Sequence, residues 1–173
     1  LQNTVPEIMV SNFMELEVDA KKTYAFGPGL GTSEDASERV FELLEQLNSP
    51  VVLDADALNN LSAGKRWNLV PKQSILTPHL GELARMVGKQ NSGFEYLQAA
   101  KAFADEHGFY IVVKGPHTAI VSPNAETWFN STGNQGMGTA GSGDVLTGMV
   151  TSFLAQGYDP KEAAILGVYF HGL

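Results

Sequence analysis

The segment TGNQGMGTAGSGDVLTGMV, residues 132–150, sets five glycines between Gly133 and Gly143, then one carboxylate at Asp144, then an apolar run. Glycine-rich backbone just ahead of a helical pattern lets N–H groups converge at a helix start. Gly141, Ser142 and Gly143 fit such a turn, and the positive end of the helix adds to its attraction for phosphate oxygens. Phosphate held there offsets charge near Asp144. A carboxylate so placed can accept a proton from a hydroxyl aimed at phosphorus. An acidic residue also suits any first helical turn, so GSGD alone leaves both roles open.

The surrounding chain says which fold carries this turn. Short apolar runs alternate with helical patterns. Residues 23–26 read as a strand, followed by GPGLG. Ser33 is placed to cap a helix through about Leu47, with Val40, Leu43, Leu44 and Leu47 as its buried stripe. VVLD reads as a buried parallel strand, and residues 75–77 as another. A short helix follows within PHLGELARMVG. Ser92 caps the next, with Leu97, Ala100 and Ala104 facing inward, and it ends near His107 and Gly108. FYIVVKG is hydrophobic throughout and predicts a central strand. TAIVSP and ETWFN predict a hairpin around Pro123 and Asn124. A helix runs from near Ser142 through Leu154. Asp159 and Pro160 cap and open the last one. The stretch 61–72 reads as a loop or a weak helix. The order is α/β, with a mostly parallel sheet flanked by helices. There is no internal repeat, linker or domain boundary, so 1–173 is read as one domain.

In open α/β sheets, ligands gather where strands end and helices begin. Four segments sit there: GPGLG at 27–31, DADALN at 54–59, TPHLGE at 77–82 and AGSGD at 140–144. GPGLG is either a tight turn or a place where a substrate lies against the backbone. It lacks the spacing of a dinucleotide fingerprint, and no GK[ST] makes a Walker loop. The DADALN carboxylates can meet magnesium directly or through water, or Asp56 can cap a helix. Asn59 is a candidate hydrogen-bonding group for a substrate. His79 can bond a ligand phosphate or ribose, or tie two loops together. Glu82 can orient it or favour the helix terminus. Lys114 ends a strand before Gly115, where its charge can balance phosphate. Trp128 and Phe129 are read as packing residues.

Composition excludes several classes. The 11 basic and 19 acidic residues leave a net charge of −8 and no basic run, so no nucleic-acid partner is expected. Without cysteine there is no disulfide and no thiolate zinc site. His79, His107, His117 and His171 have no zinc-site spacing, and no protein metal ligand is assigned. No GxSxG supports a serine triad. No membrane-spanning run occurs, and a cytoplasmic location is expected.

As an ordered set, GPGLG, DADALN, TPHLGE, VVKG and NQGMGTAGSGDVLTG resemble the ADP/ATP-dependent NAD(P)H-hydrate dehydratase family, from about Val5 onward. Leu80 stands where that family often has proline, and Ser142 where it often has threonine. Neither removes a backbone donor or the carboxylate. The resemblance implies a ribokinase-like fold and repair of hydrated nicotinamide cofactors. ADP, or ATP in the alternative, drives loss of water from the S epimer of hydrated NADH or NADPH (NADHX or NADPHX), giving NAD(P)H, AMP and phosphate. It implies Asp144 as base and as a substrate contact. Gly141, Ser142 and Gly143 would hold the transferring phosphate. Lys114, Gly115, Pro116, His117, Thr118 and Gly143 would line the AMP. Gly29, Gly31, Asn59 and His79 would contact the hydrated cofactor. Mg2+ and a homo-oligomer such as a tetramer are also implied, and in bacteria such a domain is often fused to an epimerase. Against the family's usual extent, the chain is expected to lack an N-terminal region and the extreme C-terminus. The competing expectations are a small-molecule kinase of the same superfamily, of hydroxyethylthiazole or sugar kinase type, and a noncatalytic nucleotide-binding module.

Overall fold

A computed structural model of the chain describes residues 12–133 and 138–173. Part of the opening segment, Asn134 to Met137, therefore lies outside the described residues, as do residues 1–11.

Six strands form one sheet in chain order: β1 (Ala25–Phe26), β2 (Val52–Leu53), β3 (Ile75–Leu76), β4 (Tyr110–Val113), β5 (Ala119–Val121) and β6 (Thr127–Phe129). β1 to β4 are mutually parallel, and β5 and β6 turn back antiparallel. The sheet is thus mostly parallel, and β4 is central, as the sequence predicts. Hydrogen bonds continue the short ladders beyond their assigned ends. Asp54 N–H donates to the Phe26 carbonyl at 3.0 Å, and Thr77 N–H to that of Leu53 at 2.9 Å.

Strands laid down in order with right-handed crossovers put every connecting helix on the same face. Helices α1 (Glu34–Glu45), α2 (Ala55–Gly64), α3 (Leu80–Val87) and α4 (Gly93–His107) are those connections. Val40, Leu44, Leu58, Leu61 and Ala104 pack there on Phe26, Leu53, Leu76, Ile111 and Val121. The alternate strand residues Val52, Ile75, Val112 and Ile120 point the other way. Helices α5 (Ser142–Ala155) and α6 (Pro160–His171), which follow the hairpin, cover them with Leu146, Val150, Ala164 and Val168. The continuous apolar strands follow from burial on both faces.

Local signals account for most helix ends. The Ser33, Ser92 and Asp159 side chains cap α1, α4 and α6, and Gly108 closes α4 in the left-handed conformation. Helix α2 is the difference from the sequence reading. It begins at Ala55 and is capped by Asp54, not by Asp56. Its last turn and a 3-10 turn at Trp67–Leu69 fill most of the stretch read as a loop or weak helix. Helices α5 and α6 approach so closely that a Cβ on Gly167 would lie 2.5 Å from Val150. No helix of the described residues is long and apolar enough to cross a membrane.

Candidate nucleotide and substrate site

All four loops singled out in the sequence lie at the C-terminal ends of the parallel strands or at the start of α5. Gly141 stands at the cap position before α5, held at φ 87°, and no side chain caps the helix. Neither the Gly143 nor the Asp144 amide donates to a protein acceptor among the described residues. Unpaired among the described residues, these amides are donors of the kind a phosphate cradle requires.

Beside this turn lies a cavity of about 760 Å3, within the range of small-molecule sites. Its wall includes His79, Lys114, Gly115, Pro116, Thr118, Ser142 and Gly143. His79 and Lys114 come from adjacent strand ends, because the Lys114 N–H donates to the Pro78 carbonyl at 2.9 Å. Asp144 is exposed in the first turn of α5, outside the cavity wall. It has no ion pair or side-chain hydrogen bond among the described residues, which leaves its carboxylate open to a ligand. Gly141 and the exposed His117 also lie outside the wall.

Lys114 is not a free cation. Its ammonium lies 2.7 Å from Oδ1 of Asp54, which is buried at 1% exposure. The Thr147 hydroxyl, from α5, donates to Asp54 Oδ2 at 2.7 Å, and the Ala55 N–H donates to Oδ1 at 2.9 Å. The next residue, Ala55, sits at φ 46°. That conformation costs a residue with a side chain on the order of 1–3 kcal/mol, and such costs collect at functional sites.

His79 caps its own helix. Its Nδ1 accepts from the Gly81 and Glu82 amides at 2.9 and 3.2 Å. The buried Glu82 carboxylate takes the His79 N–H at 2.8 Å and lies 3.3 Å from Nε2, completing a capping box. The imidazole is still half exposed at the cavity wall. The His79 side chain thus caps its own helix and does not tie two loops together, and Glu82 both orients it and favours the helix start.

Gly29, Gly31 and Asn59 are not part of that wall. The Gly31 N–H donates to Asp56 at 2.9 Å, and Asn60 donates to the Gly31 carbonyl at 3.1 Å, so α2 holds the GPGLG loop. Asn59 accepts from Arg85 at 3.1 Å. Gly27 is obligatory: a Cβ there would fall 1.9 Å from the Asp54 carbonyl oxygen.

The sequence offered Asp54 only as a possible magnesium partner and gave no sign of its contacts with Lys114 and Thr147, nor of His171, whose Nε2 is 3.2 Å from the Ser142 hydroxyl in the cavity wall. Asn130 and Thr132 were missed too; they tie the loop after β6 to α6 through the Val168 and Tyr169 carbonyls. The only available signal was polar residues facing buried positions, which one sequence does not display.

The arrangement gives no built magnesium site. Among the described residues no three carboxylate or histidine groups gather. Asp54 already accepts from three donors, and Asp56 is engaged with Gly31. Magnesium would therefore be held by nucleotide phosphates, whose charge it would neutralise, and not by a set of protein ligands among the described residues.

A parallel sheet with a terminal hairpin, bearing an anion cradle at the first helix after it, defines the class as ribokinase-like, a fold shared with solved proteins of that superfamily. The chain belongs to the NAD(P)H-hydrate dehydratase family, whose sequence profile matches residues 1–173. It is 39% identical to an ADP-dependent (S)-NAD(P)H-hydrate dehydratase of Neisseria meningitidis, over 99% of this chain and 63% of that protein. It is 42% identical to a bifunctional NAD(P)H-hydrate repair enzyme of Moorella thermoacetica, over 86% of this chain and 28% of that one. The ADP/ATP-dependent NAD(P)H-hydrate dehydratase of Bacillus subtilis, co-crystallised with ATP and Mg2+ and soaked with CoA, superposes with a TM-score of 0.82 at 31% identity. That superposition covers 99% of this chain and 64% of the other. The chain thus spans less than two thirds of each of these proteins.

Proposed function

We propose that this chain removes water from the S epimer of hydrated NADH or NADPH at the expense of ADP, with ATP as the alternative donor. The observation that carries this reading is the uncapped start of α5, where the Lys114 ammonium rests against Gly143 and the next residue, Asp144, bears an open carboxylate. Family membership supplies the substrate class.

In this reading the nucleotide lies along Lys114 to Thr118, with its terminal phosphate on Gly141 to Gly143. His79, Gly29, Gly31 and Asn59 contact the hydrated cofactor. Asp144 takes the proton of the ring hydroxyl as that oxygen attacks the terminal phosphorus, and AMP leaves. The carbon–oxygen bond then breaks, inorganic phosphate departs, and a proton is lost from the neighbouring ring carbon. The product is NADH or NADPH. Magnesium bound to the nucleotide neutralises phosphate charge; the chain's own residues place the donor and hold the proton. The reading also includes a homo-oligomer such as a tetramer and a cytoplasmic location.

Asp144→Asn tests the assignment. Loss of turnover with ADP affinity retained supports the base; retained turnover removes it. A stable phosphorylated product from the wild-type protein would favour the kinase of the same superfamily. ADP binding without any turnover would favour a binding module.

A further inference from the structure

Asp54 is too buried to touch a ligand itself, yet it reaches into the site through one residue. Its carboxylate joins three elements that meet beneath the cradle: the end of β2, Lys114 at the end of β4, and Thr147 in α5. Lys114 Nζ would lie 3.3 Å from a Cβ built on Gly143, and Asp54 Oδ2 would lie 3.8 Å from it. The ammonium therefore rests against the first turn of α5, at the residue whose amide is open. A lysine on a four-carbon stem beside a cavity would otherwise spread over many rotamers and lose them on binding.

We propose that Asp54 is the positioning residue of the nucleotide site, acting through Lys114, and that Thr147 fixes it from α5. This rests on the reading of the site as a nucleotide site. Asp54 holds the ammonium at one point over the open amides before ADP arrives. The terminal phosphate then meets a pre-placed charge. With Lys114 shared between Asp54 and phosphate, the site binds the nucleotide without an unbalanced buried cation when empty.

The test is the affinity of the whole chain for ADP with magnesium, by calorimetry, for wild type, Asp54→Asn, Lys114→Met and the double variant. Turnover of hydrated NADH is measured in parallel. Loss of one charge-assisted contact predicts about tenfold or weaker binding for each single variant. Because Asp54 works through Lys114, the double variant should bind no more weakly than Lys114→Met. Unchanged affinity in Asp54→Asn, or losses that simply add, would overturn the proposal. Lys114→Arg decides the matter even if Asp54→Asn does not fold. Its charge is kept but moved into a planar fork of different reach, so it should bind ADP more weakly than the wild type. Wild-type affinity in Lys114→Arg would show that a fixed position is not needed. If the wild type binds ADP with the expected pattern yet fails to turn over, the dehydratase reading falls and the role of Asp54 stands. If the wild type does not bind ADP, the proposal fails.

Discussion

Asp144 carries the chemistry in this account, and its surroundings make a clean substitution possible. Its carboxylate makes no side-chain bond among the described residues, so Asp144→Asn should leave the fold intact. Loss of a general base predicts a fall in kcat of about a hundredfold or more, measured in steady state, with the melting temperature unchanged. Asp54 is the opposite case. Removing Lys114 strands its buried charge, and breaking a buried pair costs about 3–5 kcal/mol, toward the lower end because Lys114 keeps some solvent contact. Chemical denaturation of Lys114→Met should show that loss. Residue-scale roles were only partly legible in the sequence. Asp144 could be placed because glycines and a helix start flank it locally. The Asp54–Lys114 contact joins residues 60 apart, and Asp54–Thr147 residues 93 apart, so no local pattern announces them.

At the scale of elements, two helix starts set the site, and each separates stability from function. Glycine inside a helix usually costs about 0.8–1 kcal/mol relative to alanine. Gly143→Ala should therefore leave thermal stability unchanged or slightly raised. Its Cβ would press on a Lys114 ammonium held by Asp54, so ADP affinity should fall. A melt alongside a binding titration checks both halves. At α3, His79 caps the helix through Nδ1. His79→Ala should cost about 1 kcal/mol, most of it restored by His79→Asn, whose side-chain oxygen can cap. If the imidazole also contacts hydrated cofactor, His79→Asn will still show a raised KM. Helix α2 was the element least readable beforehand. Its cap, Asp54, looks like a strand residue in VVLD, and Ala55 turns through a backbone region that propensity does not favour.

For the whole molecule, the alternation of apolar runs and helical stripes was enough to read an α/β protein with a mostly parallel sheet. Burial on both faces writes that pattern directly into the sequence. Which face each helix covers follows from crossover handedness and strand order, which composition does not contain. Tyr110 lies on the second face. Burial, and then the nearby Asp159 and Glu126 charges, raise the Tyr110 phenol above its ordinary value of 10.0. A raised folded value means stability is full below pH 10.0 and declines as pH rises from there through the folded value. Tyr110→Phe should flatten that alkaline decline in a pH series of unfolding curves, with little change at neutral pH.

The central claim is that nucleotide phosphate transfer at the start of α5 drives dehydration. The most direct test incubates this chain with (S)-hydrated NADH, ADP and magnesium, and quantifies every product. The account predicts NADH, AMP and inorganic phosphate in equal amounts. A phosphorylated hydrate that persists, or NADH formed without AMP, would contradict it.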